Sequence, residues 1–191
     1  PDSDHASIIT HKNLLGTMLM QHHIFEDARI ILEQAFEDAK AEFVGENDLT
    51  MQITMNLAAC RQNLGEVADA IPLLEEVAQY RIRKFGVAHK RSLTSLFLLG
   101  KALRELQQFE QALQLLETVY RERSALLGEE DPATLITRRE IALTRWNLRD
   151  SSALREIVII LKIQEKVLGS EHRHCQTTRE IIQSMLSNNS S

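Results

Sequence analysis

The chain has little of what punctuates most compact domains. Of its 191 residues, three are proline, seven are glycine, 5% are aromatic and two are cysteine. With so few prolines and glycines, few turns are forced and long unbroken elements are expected. Cys60 and Cys175 stand alone and far apart, which excludes a disulfide framework and fits two free thiols in a reducing compartment, the cytoplasm. No apolar run approaches the length that crosses a bilayer, and no signal peptide is visible. A block of one charge is missing too. Acids and bases are interspersed and the net charge is −5, which disfavours nucleic acid as a partner. The strand signal is poor. "IVIILKI" (157–163) is the one apolar β-branched run, and it lies inside a 3.6-residue pattern ending at Leu168, so it reads as a buried helix face. The chain begins at Pro1 rather than Met, which reads as a segment cut from a longer polypeptide.

What remains is 43% apolar residues, enough for a core, in a background of the helix formers Leu, Ala, Glu, Gln and Arg. Four of the seven glycines, Gly45, Gly86, Gly128 and Gly169, each follow a helix-like run, at spacings of 41, 42 and 41. A period of that size decides a fold. Aligned on 42, the columns fill without gaps. Leu15, Leu57, Leu99 and Ile141 form one. Gly16, Ala58, Gly100 and Ala142, all small, form the next. Twelve positions on come Ala28, Ala70, Ala112 and Leu154, and behind them three apolar columns headed by Ile31, Leu32 and Ala35.

Apolar residues at +3, +4 and +7 from a small residue describe one face of a helix. Each unit is therefore two amphipathic helices, closest at their small residues and joined by a short polar turn: "QHHI", "LGEV", "QQFE" or "RDSS". First helices are expected at 7–21, 50–63, 92–106 and 134–148. Second helices are expected at 25–44, 67–85, 109–127 and 151–168. The four glycines cap the second helices. Three residues after each stands Asp48, His89, Asp131 or His172, and Thr50, Ser92, Ala133 or Thr134, and Thr177 open the next helix, with Pro132 in a tolerated first-turn position. The units span 5–48, 49–90, 91–132 and 133–172 of one 1–191 domain, followed by a capping helix at 173–186 and a polar, solvated tail at 187–191. One column breaks: Leu154 stands where Ala is expected and Ser151 where Phe25, Val67 and Phe109 precede it. Either the fourth hairpin packs at a changed angle, or Ala153 takes the small slot through a one-residue shift.

These columns resemble the tetratricopeptide repeat, whose common form has 34 residues. The 42-residue form with an LG-x-x-H/D-P loop is similar to the repeats of kinesin light chain, with "LLGEEDPATL" (126–135) and "NLAA" (56–59) the nearest stretches. Lys90 and Arg173 stand where that pattern has proline, so those two loops are expected to be less rigid. The resemblance implies an all-α, right-handed superhelical solenoid whose inner wall is lined by first helices. It implies a groove built from Asn13, Thr17, Met20, Met55, Gln62, Phe97, Lys101, Arg104, Arg139 and Trp146. Cations beside aromatics suit a protein or peptide partner bearing an acidic residue and a large apolar anchor. Against this, Glu105 and Glu140 can neutralise the arginines from within, and Arg and Glu on helix faces are commonly just solvated.

His22, His23, His172, His174 and Cys175 raise the question of a metal. Adjacent histidines on one helix point apart, and His172 already has its place in the repeat, so no metal site or cofactor is expected. There is no glycine-rich phosphate loop and no nucleophile elbow, so no enzyme is expected. Three readings stay open: an adaptor holding a protein partner, a regulatory or sensing array of a larger signalling protein or enzyme, and a module that self-associates through its end helices.

Overall fold

In the computed structural model, residues 2–188 are described, with side chains over 4–187. Within them every regular element is an α-helix. The chain divides into two compact units, Pro1–Leu106 and Gln107–Ser191. Unit 1 holds α1 (Asp2–Gln21), α2 (Phe25–Glu42), α3 (Asp48–Asn63), α4 (Val67–Phe85) and α5 (Lys90–Glu105). Unit 2 holds α6 (Phe109–Leu127), α7 (Pro132–Asn147), α8 (Ala153–Leu168) and α9 (Arg173–Asn188). Of the expected tail, 189–191 lie outside the described residues. Inside each unit successive helices pack against one another: α1 to α2, α2 to α3, α3 to α4 and α4 to α5, then α6 to α7, α7 to α8 and α8 to α9.

The turns explain why the pattern repeats. Each first helix ends in a residue with positive φ: His23, Gly65, Gln107 and Arg149, spaced 42 apart, with φ between 60° and 80°. Each following first helix is capped by a side chain that accepts backbone N–H groups. Asn47 Oδ1 takes Leu49 N and Thr50 N, His89 Nδ1 takes Arg91 N, and Asp131 Oδ1 takes Ala133 N and Thr134 N. His172 Nδ1 takes His174 N. Gly86, Gly128 and Gly169 close the second helices, their N–H groups bonded to Ile82, Ser124 and Glu165 carbonyls.

The first loop departs from expectation. Its cap is Asn47, not Asp48, and α2 stops at Glu42 with extended Phe43 as its C-cap. Gly45 lies inside the loop with φ 87°. Caps therefore fall at 47, 89, 131 and 172, and the short first glycine spacing comes from Gly45 standing one residue out of line. Asp48, released from capping, begins α3 and turns its carboxylate towards α4.

The broken column resolves through the one-residue shift. The buried faces of the second helices are Ala28, Leu32, Ala35 and Ala39; Ala70, Leu74 and Val77; Ala112, Leu116, Val119 and Arg123; then Ala153, Ile157, Ile160 and Gln164. The fourth set follows the third by 41. The turn shows how the residue is lost. Ala28 N, Ala70 N and Ala112 N each bond to the carbonyl four residues back, at Ile24, Glu66 and Gln108. Ala153 N bonds to Asp150 O, three back. Asp150 Oδ1 accepts Ser152 N at 2.8 Å and holds this tighter turn. Leu154 is left half-buried.

The small column is buried throughout, at Gly16, Ala58, Gly100 and Ala142. A Cβ on Gly16 would come within 2.6 Å of Leu32 Cγ, so α1 and α2 meet there. The core of unit 1 gathers Ile9, Leu32, Phe36, Ile53, Leu57 and Cys60. A core of unit 2 gathers Ala142, Ile157 and Met185, with Trp146, Leu154, Ile181 and Ile182 against it. Burying one such aliphatic side chain contributes about 1.5–3 kcal/mol, which is how each helix pair is held by its neighbours.

Candidate functional site

In unit 1 the structure brings two of the predicted residues together and adds a third. Asn13 on α1 is buried, and Asn56 on α3 donates from Nδ2 to Asn13 Oδ1 at 2.8 Å and to Thr17 Oγ1 at 3.3 Å. Asn56 escaped the sequence reading. Its signal was a polar residue in a column that holds Leu14 and Leu98 in the adjoining repeats, with Glu140 in the fourth. Met20 packs on the unit 1 core and Met55 on Met51, Val77 and Tyr80. Gln62, Phe97, Lys101 and Arg104 are half-buried. The positions 13/17/20, 55/59/62 and 97/101/104 repeat one spacing that keeps each trio on a single helix face.

Unit 2 uses its predicted residues differently. Arg139 is 7% exposed. Its Nη1 donates to Thr178 Oγ1 on α9 at 3.3 Å, and its Nη2 lies 3.5 Å from Glu140 Oε1, also buried. Trp146 packs beside Ile181 and Ile182 of α9 on the Ala142–Ile157–Met185 cluster.

A second repeated feature was missed. Arg81 Nη1 donates to Ser95 Oγ at 2.8 Å and to Arg91 O at 3.3 Å. Arg123 Nη1 donates to Thr137 Oγ1 at 2.8 Å and to Ala133 O at 3.1 Å. Thr178 Oγ1 donates to Gln164 Oε1 at 2.8 Å. Each joins the last turns of a second helix to the next first helix. In the first repeat the same slots hold Ala39 and Ile53, both buried in the unit 1 core. The signal lay in the spacing of Ala39, Arg81, Arg123 and Gln164 (42, 42, 41) against Ile53, Ser95, Thr137 and Thr178. Burial pulls both arginines below the usual guanidinium range.

A basic cleft of about 320 Å³ opens in unit 1, lined by Asp48, Met51, Gln52, Tyr80, Arg81, Phe85 and Arg91. Tyr80 Oη donates to Asp48 Oδ1 at 2.6 Å, and Lys84 Nζ donates to the same oxygen at 2.6 Å. These two bonds, Lys84's first, hold the Asp48 carboxyl below its ordinary value. Arg91 stacks on the Phe85 ring, its guanidinium carbon 5.6 Å from the centroid, and His89 stacks on the same ring at 4.7 Å. A cleft of about 340 Å³ in unit 2 is lined by Glu117, Tyr120, Arg138, Ile141, Arg145 and Glu156. There Arg138 pairs with Glu156 at 2.5 Å and Arg145 with Glu117 at 2.8 Å.

The histidines have local roles. His23 meets Phe25 edge-on and His172 lies 5.0 Å from His174, while His22 is exposed. Among the described residues no group of three His, Cys, Asp or Glu could hold a metal ion. Cys60 and Cys175 are buried, free and bonded to the Phe25 and Gly169 carbonyls, and burial pushes both thiols up. No described helix is long and apolar enough to cross a membrane.

The tetratricopeptide repeat family matches residues 49–123. Over those residues the chain matches the tetratricopeptide repeat. The kinesin light chain "nearly identical TPR-like repeats" of Podosopora anserina share the fold, with a TM-score of 0.74, 23% identity, and 94% of this chain and 92% of that one covered. BtubC (BKLC) of P. vanneervenii superposes with a TM-score of 0.72 at 13% identity, covering 97% and 82%. MamA of MSR-1 gives 0.55 at 16% identity, covering 95% and 98%. No curated protein matches the sequence. Tetratricopeptide repeats are a scaffold for protein–protein interaction and are typically non-catalytic. Likenesses at these identities carry the fold of the array, so what this array binds has to come from its own side chains.

Proposed function

We propose that the chain is an adaptor module that holds a peptide or helix of a protein partner against its first-helix faces. The observation that carries this is the recurring trio on α1, α3 and α5, half-buried but for the buried Asn13. Neighbouring trios on α1 and α3 are tied into one polar surface by Asn56, Asn13 and Thr17. On α5, Phe97, Lys101 and Arg104 place a ring and two cations on one face, suited to a partner with an acidic residue and a large apolar anchor. In unit 2, Trp146 belongs to the same reading, while Arg139 serves as the residue that seats α9. The two free, buried thiols fit a cytoplasmic setting. A regulatory array within a larger signalling protein or enzyme would use the same faces. Replacing Lys101 by Glu should sharply weaken capture of the natural partner while leaving the circular dichroism spectrum and melting temperature unchanged. Undiminished affinity would remove these faces as the binding surface.

A second reading, self-association through α1, rests on a separate observation. Ile8, Leu15 and Met18 are 51%, 47% and 49% exposed. Their repeat equivalents are covered: Thr50, Ser92 and Thr134 are at most 4% exposed, Leu57, Leu99 and Ile141 at most 8%, and Cys60, Ala102 and Thr144 are at 0%. One α1 face is thus apolar where the same face of later helices is buried. Light scattering decides it, because a concentration-independent monomer would rule self-association out.

A further inference from the structure

From the basic cleft of unit 1 we infer a second recognition site: a receptor for a carboxylate side chain of a peptide, with an apolar neighbouring residue seated on Met51 and Phe85. The cleft's charges do not balance. Asp48 is the one acid lining it, and Asp48 is already engaged by Lys84 Nζ at 2.6 Å. Arg81 and Arg91 both line the cleft, and neither has a carboxylate within salt-bridge distance among the described residues. Arg81 spends Nη1 on Ser95 and the Arg91 carbonyl, which fixes the guanidinium of a residue that lines the cleft and leaves its other N–H groups uncommitted. Arg91 is held over the Phe85 ring, so both cations are placed before any ligand arrives. Each feels the other's repulsion, and burial with that repulsion lowers the Arg81 pKa. An anion between the two relieves both effects, and a planar carboxylate matches the guanidinium fork.

The other wall selects more than charge. Phe85, half-buried, supplies apolar surface, and Met51 and Tyr80, 5% and 6% exposed, line the same 320 Å³. That volume is at the low end for ligand pockets and suits side chains rather than a large cofactor. The site therefore takes an acidic residue flanked by an aliphatic or aromatic one. The inference goes beyond the adaptor reading and does not depend on it, since none of the cleft's lining residues belongs to the Phe97–Lys101–Arg104 face.

The test is a nuclear magnetic resonance titration of the whole 191-residue chain with acetyl-Leu-Glu-Leu-amide at millimolar concentration. Saturable shifts are expected at the Met51 methyl and the Arg81 and Arg91 Hε resonances. The Leu-Gln-Leu peptide should bind about tenfold more weakly, the loss of one charge-assisted contact. Arg91→Gln should weaken the acidic peptide by a similar factor. Asp48→Asn should tighten it, because a like charge leaves the cleft. Acetate should reach the same arginines with lower affinity. The inference is overturned if the Gln peptide binds equally, if Arg91→Gln has no effect, if Asp48→Asn weakens binding, or if acetate matches the peptide and shows a small-anion site only. Failure of the Lys101 test would leave every one of these outcomes readable.

Discussion

Gln164 carries the sharpest prediction about how the array is held. It is 1% exposed on α8, and its Oε1 accepts the Thr178 hydroxyl of α9 at 2.8 Å. Its Nε2 finds no protein acceptor among the described residues. Replacing Gln164 by Met keeps the volume and the helix preference. It removes one neutral hydrogen bond, worth about 1 kcal/mol, and lifts the desolvation cost of the amide nitrogen, about 1–3 kcal/mol. Thr178 is not orphaned, because its hydroxyl also reaches His174 O at 2.8 Å. The relief outweighs the lost bond, so Gln164→Met should stabilise by roughly 0–2 kcal/mol. The reverse cut behaves differently. Thr178→Val strips the donor from Gln164 Oε1 and the acceptor from Arg139 Nη1, both in buried surroundings. It should cost about 2 kcal/mol. The double variant should recover only the share due to Gln164, since it approaches the apolar pair Ala39 and Ile53 that the first repeat uses while Arg139 Nη1 still lacks its hydroxyl acceptor. Thermal melting reads this as about 2–4 °C per kcal/mol for a chain of this size, and hydrogen exchange places it on α8 and α9. A Gln164→Met variant destabilised by more than about 1 kcal/mol would refute the reasoning, because it would show that Nε2 is satisfied after all, by buried water.

Three further outcomes follow from single groups. Gly16→Ala should destabilise by about 1 kcal/mol in chemical denaturation: the helix gain of about 1 kcal/mol is outweighed by overpacking of about 1–3 kcal/mol against Leu32, which is fully buried and cannot retreat. The Asp48 carboxyl should titrate below its ordinary value by carbon-detected nuclear magnetic resonance, and Lys84→Met should raise the midpoint. The stability that carboxylate contributes is present above its unfolded value and is lost as pH falls through the lower, folded one. His174 should titrate below the ordinary histidine value of about 6.5. Burial disfavours its cation first, then His172, Arg139 and Arg173 repel it. Protonation therefore costs folding energy, so the protection of α9 amides, corrected for the intrinsic exchange rate at each pH, should fall as pH drops below that unfolded value, and unchanged protection would contradict the arrangement.

The fold was legible because its information is periodic. Each helix needs its apolar stripe on a neighbour, so column after column had to match in size, and the helix boundaries follow within a few residues. The one-residue slip at Ala153 was legible only as an alternative. Pattern shows which residues are apolar, whereas the change from a four-back to a three-back bond at Asp150 is a matter of local geometry. The cap at Asn47 hid behind Asp48, since both types cap equally well and Gly45 pointed to the wrong neighbour. The polar residues were the least legible. An arginine on a helix face normally reads as solvated, yet a long stem lets Arg123 and Arg139 bury their heads on hydroxyls and carbonyls. Sequence names the residue type without saying which way the chain's own acceptors have drawn it.

That direction matters for where a partner would bind. All three arginines of α7 are matched within unit 2: Arg138 with Glu156, Arg139 with Glu140 and Arg145 with Glu117. On α5, by contrast, Lys90, Arg91 and Lys101 have no carboxylate within salt-bridge distance among the described residues. The equivalent helices of successive repeats thus carry similar numbers of cations with different amounts of attraction left over. A pair already formed gives a ligand little, because the incoming carboxylate must displace one that is in place and leave it unpartnered. An unmatched cation that is already positioned gives more of its interaction to the newcomer. Charge-reversal at α7 would therefore damage folding before binding, and Arg139→Glu in particular would set two buried carboxylates side by side. Charge-reversal at Lys101 or neutralisation of Arg91 removes attraction that the fold itself does not use, and loss of binding there with an unchanged melt is the signature that separates a recognition surface from a structural one.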